Sequence, residues 1–330
     1  MRRATRGYAA LGLVLTLAVT AGCTSKAPTN EDAGDRNKDE FVIGYSQSNN
    51  AEPYRAQINL QLRYYMEKYP KLKLLPISDG QQSSATQLSQ VQTFIEKGVD
   101  VLLVSPNEPD PLTPVVEMAC EARIPVVLLD RSVNTDCHTS FIGGDNYEIG
   151  KKAGERAVRE LPDGGRVAEL RGVLSAKPQI ERHKGFMDAI KGHDIKVVAQ
   201  REAKWLRADA TKVTQQWLQG GKKIDLIFSH NDPMALGAFL AAKSAGKAKK
   251  TKFLGIDGLA IPSGGIRAVQ QGKLDATYLY PTGAKEAART VADIVAGRKV
   301  PKKQTLETVE INSENAAEIY QKYDMSGKIE

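Results

Sequence analysis

Histidine, cysteine and tryptophan are scarce in this chain of 330 residues, which has four, three and two of them. No Cys-x-x-Cys, His-Glu-x-x-His or clustered Cys/His spacing occurs, so no segment has the pattern of a metal site. The chain also lacks a P-loop, a Gly-x-Gly-x-x-Gly turn after a strand and a Gly-x-Ser-x-Gly nucleophile turn. We therefore predict a protein with no metal, no cofactor and no enzymatic activity.

Long apolar runs are absent except near the N-terminus. A start with three arginines precedes the apolar stretch 8–20, which is too short to span a bilayer comfortably. The stretch ends in Thr20-Ala21-Gly22-Cys23, which resembles a bacterial lipobox, although a typical lipobox has Leu where Thr20 stands. The resemblance implies that residues 1–23 are a lipoprotein signal peptide and that Cys23 is lipidated. The alternative is an ordinary secretory signal with a chance cysteine.

Residues 24–40 lack the large apolar side chains that a folded segment needs to bury. Such a segment cannot offset the entropy lost on ordering, so we predict a flexible tether. No later segment is apolar enough to cross a membrane. We therefore expect the body of the protein to lie outside the cytoplasm, anchored to the membrane through the lipid.

The formal net charge is +7, and a basic chain can indicate a nucleic-acid partner. Here, however, lysine and arginine are dispersed, and three arginines belong to the predicted leader. The densest cluster, 243–252, is typical of a solvated helix end and loop, with an interaction patch as the alternative. We predict no nucleic-acid partner.

Two cysteines remain after Cys23, one on each side of a predicted strand. Cys120 falls in a predicted helix and Cys137 in the loop after that strand. An even pair in an oxidising compartment can form a disulfide, but two separate thiols fit the sequence equally well.

Short apolar runs alternate with amphipathic stretches from residue 41 onward, which predicts an α/β fold of parallel sheets covered by helices on both faces. The predicted strands are 41–45, 73–77, 101–105, 126–130, 140–144, 167–171, 196–200, 226–230, 253–257 and 276–280. Predicted helices include one over 85–94 capped by Ser83 or Ser84, one starting at Asp110-Pro111, and 147–160, 178–192, 208–219, 232–245, 262–271 and 283–297.

Residues 41–330 are too many for a single hydrophobic core, and the pattern of strands and helices divides into two similar halves without a linker. We therefore predict two doubly wound lobes that bend near 143–145. In such sheets a ligand binds at the carboxyl ends of the strands.

Polar or aromatic residues occupy nearly every position expected at that cleft. The candidates are Gln47, Glu52, Tyr54, Arg55, Ser105, Asp130, Arg131, Arg182, Trp205, Arg207, Asn231, Asp257 and Tyr280. Carboxylates accept hydrogen bonds from sugar hydroxyls, arginine and asparagine donate to them, and aromatic planes pack on the C–H faces of the ring. This chemistry suits a carbohydrate and involves no proton transfer or covalent bond.

Several candidates have ordinary structural alternatives. Asp130 and Arg131 could form a simple ion pair, and Tyr54 and Trp205 could be core aromatics. Asn231 could cap the helix that starts near Pro233, but Asp232 suits that role better and would leave Asn231 for the ligand. His230, in contrast, is expected to pack structurally.

The chain carries a set of nine motifs: IGYSQ (43–47), SDGQQ (78–82), GVDVLLVSP (98–106), IPVVLLDRS (124–132), GGDN (143–146), ERHKGF (181–186), SHNDPMALGA (229–238), GIDG (255–258) and GKLDAT (272–277). As a set they resemble the periplasmic sugar-binding proteins of the ribose- and galactofuranose-binding type, whose fold is shared with LacI-type repressors. The resemblance covers residues 41–330. It implies the type 1 periplasmic binding protein fold, with a three-strand hinge between lobes formed by 41–144 plus 281–309 and 145–280 plus 310–330.

The resemblance also implies roles for single residues. In that family the positions of Asp130, Arg131, Arg182, Asn231, Asp257 and Trp205 contact the ligand. Tyr54-Arg55 resembles the Trp-Arg pair of galactofuranose-type members. Tyr280 stands where ribose binders have Gln and Ser105 where they have Asn, which favours a furanose hexose, another pentose or a polyol over ribose.

These implications lead to one functional expectation. A monomeric lipoprotein captures a monosaccharide as its lobes close about the hinge, and delivers it to an ABC transporter permease. The alternatives are a ligand-loaded co-receptor for a chemoreceptor or sensor kinase, and a binder of a non-sugar signalling molecule. A LacI-type regulator would need an N-terminal helix-turn-helix where this chain has a leader.

Overall fold

The structure, a computed structural model, describes residues 38–329. The strands are β1 Phe41–Gln47, β2 Leu72–Leu74, β3 Ser78–Asp79, β4 Val101–Ser105, β5 Val126–Leu129, β6 Ser140–Gly144, β7 Gly165–Arg171, β8 Ile195–Glu202, β9 Leu226–Ser229, β10 Lys252–Leu254, β11 Thr277–Tyr278, β12 Lys303–Leu306 and β13 Glu310–Ile311. The helices are α1 Pro53–Met66, α2 Ser84–Glu96, α3 Pro109–Glu121, α4 Asn146–Glu160, α5 Lys177–Ile190, α6 Arg207–Gln219, α7 Asp232–Ser244, α8 Gly265–Gln270, α9 Ala284–Val295 and α10 Ala316–Tyr323.

Two parallel sheets organise the described chain. The larger has the order β12-β6-β5-β4-β1-β2, with β3 also paired to β1, and the smaller has the order β10-β9-β7-β8. Strands β11 and β13 form a separate antiparallel pair. The predicted α/β class with two doubly wound parallel sheets is confirmed.

Helices cover both faces of the large sheet, as the continuous apolar run of β4 predicted. Val101 and Leu103 pack in one buried cluster with Ile58 of α1, while Leu102 and Val104 pack on the opposite face in another. Because both faces are buried, β4 carries apolar side chains at successive positions instead of alternating with polar ones.

The chain passes between the two sheets three times. It leaves the large sheet after β6, returns to pack α9 against α1 after residue 280, and leaves again between β12 and β13. The predicted division into lobes at 144/145, 280/281 and 309/310 uses these three passages as its hinge. The division itself stays a prediction.

The N-terminal predictions cannot be followed here. The predicted signal peptide 1–23, its Cys23, and residues 24–37 of the predicted tether lie outside the described residues. Within 38–329, no helix is both long enough and apolar enough to cross a membrane.

The predicted cap of one helix is confirmed, and the predicted start of another is wrong. Ser83 caps α2, because its side chain accepts a hydrogen bond from the Thr86 amide. The predicted start of helix α3 was two residues too late. The helix begins at Pro109 after Glu108, because Pro109 fits the first turn as well as Pro111 does.

Cys120 and Cys137 form a disulfide, with their Cα atoms 6.1 Å apart. The bond ties the end of α3 to the loop that follows β5. The pairing that the sequence left open is therefore present in the structure.

Candidate ligand-binding site

A narrow cavity lies where the carboxyl ends of the strands of the two sheets meet. Ten of the thirteen candidate residues line it, together with Pro178. The lining consists of Glu52, Tyr54, Arg55, Asp130, Arg131, Pro178, Arg182, Trp205, Asn231, Asp257 and Tyr280. Every one of these side chains is buried. Parallel topology brings them together, because they follow strand ends or lie in the first two turns of the next helix.

Asp130 and two arginines form the charged centre of the wall that the large sheet contributes. The Asp130 carboxylate lies 2.6 Å from Arg55 Nη1 and 3.7 Å from Arg131 Nε. Burial by itself raises the pKa of Asp130, but the positive charges of Arg55 and Arg131 outweigh it and hold the pKa below its usual value. Asp130 is therefore an ionised acceptor that keeps two guanidinium groups in place.

Gln47 and Ser105 hold Arg55 from behind. Ser105 Oγ accepts a hydrogen bond from Arg55 Nη1 at 2.9 Å, and Gln47 Oε1 lies 3.4 Å from the same nitrogen. Gln47 also donates to the Tyr45 hydroxyl at 2.6 Å. Neither Gln47 nor Ser105 lines the cavity, because the Arg55 side chain lies between them and the open space. The structure therefore places both residues behind Arg55, and their predicted ligand contact stays a prediction.

Arg182 is the centre of the opposite wall. Its Nε donates to Asn146 Oδ1 at 2.9 Å and its Nη1 donates to the His230 carbonyl at 2.5 Å. Asn146 Nδ2 in turn donates to the Tyr280 hydroxyl at 3.2 Å. Sequence reasoning missed Asn146, although it is the last residue of the GGDN motif and opens α4 directly after β6.

Aromatic rings enclose the cavity on several sides. Tyr54 and Tyr280 have ring centroids 5.3 Å apart, and the Tyr54 hydroxyl donates to the Pro281 carbonyl. The Arg131 and Arg182 guanidinium carbons lie 5.7 Å and 5.6 Å from the centre of the Trp205 ring. Trp205 thus contacts one arginine from each wall through cation–π interactions.

The structure contradicts the expectation that Asp232 caps α7 and frees Asn231. Asn231 Oδ1 accepts from the Met234 amide at 3.0 Å, and Nδ2 donates to the Trp205 carbonyl at the same distance. Asp232 points into the protein, where it accepts from Thr277 Oγ1 and the Gly258 amide. Asn231 still lines the cavity, but it is also the helix cap and a brace for the Trp205 loop.

The Asp257 carboxyl is buried and has an oxygen without a hydrogen-bond partner among the described residues. Burial and the nearby Asp232 carboxyl raise the pKa of Asp257 well above its usual value. Its Oδ2 is buried and makes no hydrogen bond within residues 38–329. A neutral Asp257 carboxyl can both donate to and accept from a hydroxyl group.

The structure places Arg207 apart from the other candidate residues. It is the first residue of α6, it is exposed, and it does not line the cavity. The prediction placed it beside Trp205, but α6 begins between the two residues and carries the Arg207 side chain to the surface. Glu52 does line the cavity, and its carboxylate accepts from Asn49 Nδ2 at 2.8 Å.

Several buried polar atoms of the lining have no hydrogen-bond partner among the described residues. They are Arg55 Nε, Arg131 Nε, Trp205 Nε1 and Asp257 Oδ2. Buried polar groups are normally paired, so such a concentration in one cavity indicates a polar ligand. The described residues contain no His, Cys, Asp and Glu cluster that could hold a metal ion.

Comparison with known proteins decides the family. The profile of the periplasmic binding protein domain matches residues 43–299. The chain belongs to this family. Its relatives and structural neighbours identify it further as a periplasmic sugar-binding protein of the type 1 fold.

Three members illustrate the similarity. The ribose import binding protein of Bacillus subtilis (strain 168) is 33% identical over 296 residues, which cover 88% of this chain and 93% of that protein. The fructose-binding periplasmic domain of a hybrid two-component system superposes with a TM-score of 0.83 at 35% identity, covering 86% of this chain and 94% of that one. An ABC transporter solute-binding protein from Bacillus halodurans C-125 with bound myo-inositol gives a TM-score of 0.81 at 29% identity, covering 87% and 100%.

Proposed function

We propose that this protein captures a monosaccharide or a related polyol in the cavity between its sheets, outside the cytoplasm, and delivers it to an ABC transporter permease. The observation that carries the proposal is the cavity itself. Ionised and neutral carboxyls, three arginines and three aromatic rings converge on this one narrow cavity. Dense donors and acceptors beside flat apolar surfaces suit a small polyhydroxylated ring.

Lobe closure provides the mechanism. Arg55, Asp130 and Arg131 belong to the predicted first lobe, and Arg182 and Trp205 belong to the second. A ligand that contacts both sets stabilises the closed arrangement over an open one by its differential affinity. Outside the cavity, Ser175 Oγ donates to Glu108 Oε1 at 2.5 Å and joins the two lobes directly.

The test is a ligand screen of residues 24–330, followed by calorimetric titration. The panel contains D-ribose, L-arabinose, D-fructose, D-galactose, xylitol, glycerol and myo-inositol. A ligand present at about 100 times its Kd adds about 2.7 kcal/mol to the stability of the folded state and raises the melting temperature. The same ligand should make the molecule more compact in small-angle scattering.

Matched variants assign the binding to the cavity. Asp130→Ala should abolish the thermal shift, because it removes the acceptor that organises Arg55 and Arg131. Arg207→Ala should leave the shift unchanged, because that side chain is exposed outside the cavity. No shift with any carbohydrate or polyol would contradict the sugar proposal and favour a non-sugar ligand, such as a signalling molecule.

The anchoring and the partner need separate experiments. We propose that Cys23 carries the lipid, so metabolic labelling with palmitate should mark the wild-type chain and not Cys23→Ala. The permease should be recovered by cross-linking in membranes only with ligand-loaded protein. In solution the unlipidated body should elute as a monomer.

A sensory role is the second candidate, because one neighbour is the fructose-binding domain of a two-component system. In that role the closed protein docks on a sensor kinase or chemoreceptor. Deletion of the gene would then abolish transcriptional or chemotactic responses to the ligand while uptake of the labelled ligand continued.

A further inference from the structure

Glu169 is a buried carboxylate near the site that does not line the cavity. It lies on β7 in the middle of the small sheet, and none of its surface is exposed. An ion in such a place is costly unless it is paired and hydrogen-bonded. Its environment therefore requires an explanation beyond packing.

Two histidines hold this carboxylate. His230 Nε2 lies 2.8 Å from Glu169 Oε1, and His183 Nδ1 lies 2.9 Å from Oε2. Burial by itself raises the pKa of Glu169, but the hydrogen bonds from His183 and His230 lower it to about 2. Burial also lowers the pKa of His230, so the neutral ring donates through Nε2.

Each histidine is adjacent in sequence to a residue of the cavity. His183 follows Arg182 on α5, and His230 precedes Asn231 at the start of α7. The His230 carbonyl also accepts the hydrogen bond from Arg182 Nη1. Through these two hydrogen bonds, Glu169 links α5 to the residue that follows β9, close to the point where Arg182 enters the cavity.

We propose that Glu169 is a positioning residue for ligand binding: through His183 and His230 it fixes the guanidinium of Arg182 in the orientation that meets the ligand. In this role Glu169 supports Arg182 from outside the cavity, as Gln47 and Ser105 support Arg55 in the other wall. Its importance for sugar binding rests on the proposed function. Its effect on the orientation of Arg182 does not.

The first test needs no ligand. In the ligand-free protein, the Arg182 Nε–H group donates to Asn146, so its NMR signal should exchange slowly with water; Arg182→Lys identifies the signal by its loss. In Glu169→Gln the side chain loses its charge and keeps one acceptor oxygen in place of two, so the Arg182 signal should exchange at least about tenfold faster. An unchanged exchange rate in folded Glu169→Gln would overturn the proposal.

The second test is a double-mutant cycle on affinity for the panel compound that binds the wild type most tightly. Glu169→Gln should weaken binding by about tenfold in the wild type and by less than about twofold in Arg182→Lys. Equal losses in both backgrounds would mean that Glu169 only stabilises the fold. If no panel compound binds, the proposed function fails and the exchange measurement alone decides the positioning role.

Two further variants keep the test decisive. If Glu169→Gln does not fold, His183→Gln replaces it, because the His183 side chain is partly exposed and the change is milder. The same cycle with Arg182→Lys should again be non-additive, and additivity would overturn the proposal. Asp225→Asn is the control, since it removes a carboxylate that pairs with Arg166 at the opposite end of the same sheet and should change neither readout.

Discussion

At the scale of single residues, the cavity is built on unusual backbone conformations. Asp130, Trp205 and Asp257 have φ values of 67°, 69° and 130°, a region that non-glycine residues rarely adopt. Each such residue costs on the order of 1–3 kcal/mol, and such conformations concentrate at functional sites. These three side chains therefore point into the cavity at an energetic cost that surrounding contacts offset.

The indole ring of Trp205 packs directly against Gly172. A Cβ atom added at Gly172 would lie 2.0 Å from Cζ2 of the indole. Gly172→Ala should therefore push the indole into the cavity and weaken ligand binding by at least about tenfold, with a loss of about 1–3 kcal/mol in stability from overpacking. Calorimetric titration checks this. Gly220→Ala, whose added Cβ comes no closer than 3.2 Å to a backbone oxygen, should bind like the wild type.

Asp232 predicts a pH dependence. Burial raises its pKa from 3.8 to about 7 in the folded state. Between these values the folded protein keeps a proton that the unfolded chain has released, so this contribution to stability falls as pH rises from about 4 to about 7. Asp232→Asn stays neutral and lacks that dependence. The free energy of unfolding of the variant, minus that of the wild type, should therefore rise across this range.

Denaturant titrations of both proteins at several pH values measure that difference directly. The subtraction removes the contributions of His230 and His138, whose lowered pKa values act in the opposite direction. A difference that stays constant from pH 4 to pH 7 would mean that Asp232 is ionised throughout.

At the scale of elements, the sequence predicted the ten main strands and most helices, because buried parallel strands are short apolar runs. Helix α1 was missed, since polar Arg55, Asn59 and Gln61 interrupt its apolar pattern. Strands β3, β12 and β13 were missed because each is too short or too polar to show a period.

For the site, the sequence predicted the positions of most residues but not their hydrogen-bond partners. The residues directly after strands could be placed at the cavity, because parallel topology fixes where strand ends meet. Their partners could not. The roles of Gln47 and Ser105 depend on which side of Arg55 they lie, and the role of Asn231 depends on a capping bond that Asp232 could also have made.

The cap of α7 predicts two separable effects. Asn231→Ala should destabilise the protein by about 1 kcal/mol through loss of the cap and should also weaken ligand binding. Ser83→Ala removes the comparable cap of α2, which is not part of the cavity, and should lower the melting temperature to a similar extent with unchanged affinity. Equal affinity losses in both variants would show that global destabilisation, and not the cavity, controls binding.

At the scale of the whole molecule, hydrogen bonds join the two proposed lobes directly. Besides the Ser175–Glu108 bond, Lys177 Nζ lies 3.4 Å from the Val133 carbonyl across the cleft. Glu108 also accepts from Ser84 at 2.9 Å, which orients its carboxylate toward the other lobe. If the lobes close as we propose, these bonds should favour the closed arrangement before any ligand binds.

Ser175→Ala should shift this balance toward the open arrangement. We expect the affinity for the ligand to fall roughly threefold, because the ligand must then also provide the free energy of the lost bond. The radius of gyration of the ligand-free protein should increase in small-angle scattering. The matched control is Ser89→Ala, an exposed serine on α2 without an interlobe contact. An unchanged affinity in Ser175→Ala would mean that this bond does not influence closure.

The Cys120–Cys137 disulfide has a consequence for the timing of folding. It spans a sequence separation of 17 residues, and this loop contains β5 together with Asp130 and Arg131. A cross-link over such a loop destabilises the unfolded chain by about 3 kcal/mol. If the chain is exported unfolded, as the predicted signal peptide implies, that contribution is missing in the reducing cytoplasm and the newly made chain stays closer to its unfolded form. Oxidation after export then stabilises the segment that carries the charged centre of the cavity, which makes maturation of the binding site a step tied to leaving the cell interior.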